Sequence, residues 1–163
     1  MKISTKGRYA LRLMISIAEK GENALTTLRE VSEEQAISVK YLEQLVPALT
    51  AAGLLRGHRG AHGGYSLMRP ASEISAGDII RASEGGTAPV ACLESDFGVC
   101  PRADVCETLE FWKGLDDVID AYLDSVSLSE LAARSLVARE HAQVAIGACA
   151  PERRTRPVRG GAQ

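Results

Sequence analysis

Between residues 27 and 68 three signals follow one another and leave few folds open: a Thr27/Glu30 capping pattern, a second cap at Ser38, and a glycine-rich turn, RGAHGG. Thr27 with Glu30 three residues on, ahead of Leu28 and Val31, opens a helix running to about residue 36. Ser38 caps a helix over residues 39–52, with Leu42, Leu45, Val46 and Leu49 as its inward stripe and Gly53 as its stop. Two helices across a short connection form the helix-turn-helix pattern. Upstream, Ala10, Leu13, Met14, Ile17 and Ala18 share one face of a helix over residues 9–20 that Gly21 ends. Downstream, residues 54–58 and 65–68 read as short strands around RGAHGG. A hairpin directly after the third helix is a wing. The expected fold is therefore mainly α with a small β-hairpin wing, a winged helix-turn-helix domain over residues 1–86. Pro47 removes a backbone bond to the Glu43 carbonyl and predicts a kink in the third helix.

Beyond Pro70, Ser75 and Asp78 form another N-terminal box, opening a helix over residues 76–83 that stops at Gly85 and Gly86. A loop over residues 87–107 then carries Cys92, Cys100 and Cys106; the remaining cysteine is Cys149. Leu109, Trp112, Leu115, Ile119, Tyr122 and Val126 follow at steps of three and four, with Glu110, Asp116, Asp117 and Asp120 assigned to other faces. Residues 1–85 already account for a small core, so this stripe reads as a long dimerisation helix. Together with a last helix opened by Ser127 and Glu130 it fills residues 108–147, and residues 148–163 have the composition of a disordered basic tail.

The net charge of −2 hides an asymmetry. Residues 1–70 hold ten Lys or Arg against six acids, residues 71–150 five against fourteen, and the tail from Pro151 four against one. A basic N-terminal part on an acidic body can approach a polyanion with one face only. With no run of 18 apolar residues, and with Arg12 interrupting the N-terminal apolar stretch ahead of no small-residue cleavage site, a cytoplasmic protein without a membrane partner is expected. Crowded thiols argue against a structural disulfide framework. No Ser-His-Asp, metal-hydrolase or dinucleotide pattern is present, and RGAHGGY lacks the Lys-Ser/Thr of a P-loop, so an enzyme is not expected.

A recognition helix sets the side chains of its first turns against base edges in the major groove. Here those are Ser38, Lys40, Tyr41, Glu43 and Gln44. Glu43 can accept from cytosine N4, Gln44 can pair with adenine, and Lys40 and Tyr41 can hold phosphates or bases. In the wing, Arg59 suits the narrow minor groove, with Arg56, His58 and His62 as phosphate neighbours. The expected partner is double-stranded DNA. For Cys92, Cys100 and Cys106, separated by seven and five residues, zinc, an iron-sulfur cluster, unliganded thiols and a metal-free thiol switch all remain open on residue chemistry alone. A cysteine-based electron-transfer protein is the alternative from a different class.

The segments KGRYAL, ISVKYLEQL, AGLLRGHRGAHGGYSL, the cysteine trio and WKGLDDVIDAYLDSVSLSEL together resemble the bacterial winged-helix regulators that include IscR, NsrR and CymR, over roughly residues 1–135. The resemblance implies a homodimeric regulator, read as a repressor of a palindromic operator. It further implies an iron-sulfur cluster, [2Fe-2S] in preference to [4Fe-4S], held by Cys92, Cys100 and Cys106 with a fourth ligand that is not cysteine. Genes of cluster biogenesis, cysteine metabolism or redox and nitric oxide stress would be its targets. The chain departs from the pattern at that fourth ligand. The histidine position of IscR-like proteins is Leu109, and the aspartate position of NsrR-like proteins is Arg8. Glu107, or a residue given by the partner subunit, is the leading candidate.

Overall fold

Hydroxyl side chains start five of the six helices found among the described residues. A computed structural model describes residues 3–21, 24–60, 62–94 and 100–148, with the side chains of 140–148 excepted. In it Ser4, Thr27, Ser38, Ser75 and Ser127 each accept a bond from a first-turn amide, satisfying a donor the helix itself leaves free. Helices α1 (Thr5–Glu19), α2 (Leu28–Gln35) and α3 (Val39–Ala51) lead into strands β1 (Leu55–His58) and β2 (Gly64–Leu67), followed by α4 (Ala76–Glu84), α5 (Leu109–Ser125) and α6 (Leu128–Ala148). The capping boxes at Thr27/Glu30 and Ser75/Asp78 are both closed. Helix α1 begins one turn earlier than its apolar spacing suggests, because Ser4 caps it and Gly7 is already buried. Helix α3 runs on without a break through Pro47.

The core lies where α1, α2, α3 and α4 meet, with Leu13, Met14, Val31, Leu42, Leu49, Leu54 and Ile79 fully or almost fully buried. The stripes at 10/13/14/17 and 42/45/46/49 are the faces that make it. The hairpin is antiparallel, in register Leu55↔Leu67 through His58↔Gly64. Thr26 pairs on the outer side of β2, its amide and carbonyl both bonded to Tyr65. Gly64 is required there, since a Cβ would stand about 3.0 Å from the Thr26 backbone.

Three further contacts tie the C-terminal helices to this body. Val126 leaves α5 in extended conformation, its carbonyl accepting from the Ala76 amide at 2.8 Å while the Leu128 amide donates to Ile74 at 2.7 Å. Leu128 is thereby fully buried at the start of α6. Further along α6, Arg139 pairs at 2.9 Å with Glu19, whose side chain is only 5% exposed. Among the described residues no helix is long and apolar enough to cross a membrane. The expected basic tail, apart from Ala148, and Cys149 with it, lies outside the described residues.

Candidate nucleic-acid interface and cysteine site

Four of the five residues named for base and phosphate contact on α3, Ser38, Lys40, Glu43 and Gln44, are exposed, on the side opposite the buried Leu42, Leu45 and Leu49. Ser38 Oγ accepts from the Tyr41 amide, which leaves its hydroxyl proton free to donate outward. Tyr41 is different. It is half-buried, packed against the core and edge-on to Tyr9 with ring centroids 5.4 Å apart. In the wing, Arg56, Arg59 and His62 are all exposed, while His58 shares a hydrogen bond with Ser66 Oγ at 2.9 Å. Gly60 takes φ +119 at the tip, and a Cβ on Gly63 would collide with the His58 carbonyl. The loop therefore closes tightly with Arg59 beside its turn.

The cysteines lie on the connection between α4 and α5. Cys92 sits in a single 3-10 turn, Ala91–Leu93; Cys100 precedes a second, Ala103–Val105, and Cys106 ends it. All three are half-exposed free thiols. Residues 95–99, with Asp96 and Gly98, lie outside the described residues. The Thr108 hydroxyl, 3.5 Å from Sγ, together with the Thr108 and Leu109 amides at the start of α5 and the nearby Arg102, holds the Cys106 thiol below its ordinary pKa. Three soft sulfur donors suit an iron-sulfur cluster chemically. Among the described residues no group of three or more His, Cys, Asp or Glu is placed to hold a metal ion, so the fit lies in the chemistry of the donor set. Glu107 is exposed.

Around this connection the fold brings together residues that lie far apart along the chain. Asp116 and Asp120, assigned to faces other than that of the apolar stripe, lie instead with Leu109, Trp112, Ile119 and Leu123 on the inner, half-buried side of α5. The correction follows from their partners. Asp120 Oδ1 accepts from the buried Thr87 hydroxyl at 2.6 Å and from Arg81 at 3.4 Å, and Arg81 also pairs with Asp124. With Asp116 and Asp120, Glu84, Thr87, Leu93 and Glu94 help line a cleft of about 380 Å³. Burial, then the nearby Asp120 and Asp117 charges, push the Asp116 carboxyl up, and its Oδ1 is buried without a hydrogen-bond partner. Glu84 Oε1 accepts from the Ser4 amide and hydroxyl and from the Gly7 amide, fastening α4 to the first turn of α1. No local spacing signals these pairings, since they join residues 33 to 80 positions apart.

The outward face of α5 also differs from the expected stripe. Phe111, Val118 and Tyr122 are 65%, 66% and 65% exposed, and with Leu115 they form a ridge at steps of four, three and four. Leu109, Trp112 and Ile119 turn inward toward the body, and Val126 is not in the helix.

Residues 3–134 match the Rrf2 family, described as an iron-dependent transcriptional regulator. The HTH-type transcriptional regulator CymR of Bacillus subtilis is 42% identical over 132 residues, 81% of this chain and 90% of CymR. IscR of Escherichia coli O1:K1 is 37% identical over 131 residues, 80% of each chain. The solved structure of CymR, the global cysteine regulator of B. subtilis, superposes with a TM-score of 0.67 over 82% of this chain and 98% of that one. With its helix-turn-helix, wing and α4 packed on one core, the chain belongs to the Rrf2 family of DNA-binding transcription regulators, a family of regulators and not of enzymes.

Proposed function

We propose that this regulator acts in the cytoplasm as a homodimer on a roughly palindromic duplex operator, as a repressor whose grip follows the chemical state of Cys92, Cys100 and Cys106. The observation that carries this reading is the tethering of the three-cysteine connection to α5 at both ends. Thr87, at its start, is bonded to Asp120, and Cys106, at its end, adjoins Thr108 at the helix head. A change in the connection therefore reaches α5, whose exposed ridge supports pairing with a second copy. Ser38, Lys40, Tyr41, Glu43, Gln44, Arg56, Arg59 and His62 form the DNA-facing set.

The cysteines would hold an iron-sulfur cluster, [2Fe-2S] in preference to [4Fe-4S], with a fourth ligand from Glu107 or the partner subunit. Such a cluster supplies a redox-sensitive centre when bound. Among the described residues the three sulfurs are not placed to share a metal ion, so cluster binding would draw them together. The family is described as iron-dependent, and CymR of B. subtilis is a global cysteine regulator. Both support genes of cluster biogenesis, cysteine metabolism or redox and nitric oxide stress as targets. Anaerobic purification should yield coloured protein whose visible thiolate-to-iron absorption disappears in Cys92→Ala. A colourless protein with one zinc per chain would overturn the cluster. Operator occupancy that stays the same when all three thiols are replaced would overturn the regulation. On the DNA side, Arg59→Ala should weaken operator binding, and Glu43→Ala should relax base preference more than it lowers affinity.

Three half-exposed free thiols on one connection, with the Thr108 hydroxyl 3.5 Å from Cys106 Sγ, favour a second reading, a metal-free thiol switch. A peroxide would oxidise the Cys106 thiolate to sulfenic acid, and a second thiol would displace water to form a disulfide. Metal-free protein treated with peroxide should then change its operator affinity reversibly, dithiothreitol restoring it; an unaltered affinity removes this reading.

A further inference from the structure

We infer that Arg12, a residue of α1 that touches no expected DNA-facing surface of its own, is a positioning residue for base reading: it clamps the helix-turn-helix turn and, through Tyr9, the first turn of α3.

The turn between α2 and α3 needs such a clamp. Its pivot, Ala36, takes the left-handed conformation at φ +52, where a residue with a Cβ is disfavoured. Among the described residues it is the sole non-glycine with positive φ. The last carbonyls of α2 also lack donor partners within the helix. Arg12 meets both needs from the side. Its terminal nitrogen donates to the Gln35 carbonyl at the end of α2, and its Nε donates to Gln35 Oε1 at 2.9 Å. Gln35 in turn donates to the buried Ser16 hydroxyl at 2.9 Å, so both ends of the clamp rest on α1. A cation at the C-terminal end of a helix is favourable in itself.

The same guanidinium lies 5.5 Å from the centroid of the Tyr9 ring, within cation–π range, and Tyr9 meets Tyr41 edge-on at 80°. Tyr41 shares its turn with Lys40, Glu43 and Gln44. One side chain thus holds the end of α2 and, at one remove, the start of α3. Among the described residues Arg12 forms no ion pair with a carboxylate, unlike Arg81 or Arg139. Its donors go to neutral acceptors at the turn.

The inference rests on the reading of residues 38–44 as base-facing, and the experiment separates the two. A duplex selected from a random library by the full-length wild-type protein serves as the specific probe, and a random-sequence duplex of equal length as the non-specific one. Both are titrated at several salt concentrations with wild type, Arg12→Lys, Arg12→Met and Gln35→Met. The ratio of specific to non-specific affinity should fall about tenfold in all three variants, with non-specific affinity and the salt slope unchanged. Gln35→Met approaches the clamp from its other side and carries the test if Arg12→Met fails to fold. Equal weakening on both probes with a salt slope shallower by about one would make Arg12 a phosphate contact and overturn the inference. Full discrimination in the variants would overturn it as well. A wild-type protein that selects no sequence would overturn the underlying reading of residues 38–44 and the inference with it.

Discussion

Two side chains show how single polar atoms tune this molecule. The hydroxyl of Thr26 is buried without a hydrogen-bond partner, although its backbone is fully engaged with Tyr65. An unsatisfied buried hydroxyl is destabilising, and valine has nearly the same shape. Thr26→Val should therefore raise stability by about 1 kcal/mol, read from the urea midpoint, with no change in operator binding. Asp116 behaves differently because it can ionise. Its folded pKa is raised above the ordinary aspartate value, so between the two values the folded chain binds more protons than the unfolded chain. Stability contributed by its neutral form is present at low pH and falls as pH rises through that window. Asp116→Asn should thus be more stable than wild type at pH 7 and lose that advantage on acidification into the carboxylate range. Urea unfolding at both pH values checks this, and an equal gain at each would assign the effect to packing.

At the scale of elements, the join between α4 and α5 is polar where the rest of the body is apolar. Arg81 reaches Asp120 and Asp124 from one helix to the other, and Gly77 leaves the space, since a Cβ there would collide with Asp124 Oδ1. Arg81 is 34% exposed on its side chain, which limits its value to about 1 kcal/mol and makes it salt-sensitive. Arg81→Met should lower stability by that amount at low salt, less at high salt, and should speed amide exchange in α5 before it does so in α1. Caps were legible in the sequence because each is a local bond between residues three positions apart, as at Thr27/Glu30 and Ser75/Asp78. The inward turn of Asp116 and Asp120 was not, because an aspartate on an amphipathic helix is read as solvent-facing unless a distant arginine or threonine is known to await it.

Across the described residues, the α5 ridge of Phe111, Leu115, Val118 and Tyr122 is an exposed apolar surface in want of cover. If two copies pair through it as proposed, Val118→Asp should shift the protein toward monomer in sedimentation velocity and weaken operator binding, with the monomer retaining its helical content. A variant that stays dimeric would place the pairing surface elsewhere. The sequence by itself determined the helix-turn-helix, its wing and its candidate DNA contacts, because caps, glycine turns and the 3.6-residue period act over a few residues and need no knowledge of neighbours. Tertiary structure alone decided which face of α5 turns inward, that Tyr41 leans on Tyr9, and that Arg12 closes the turn beside Ala36. Those outcomes depend on which residues, far apart along the chain, arrive within hydrogen-bond reach once the helices pack, and no local period encodes that distance.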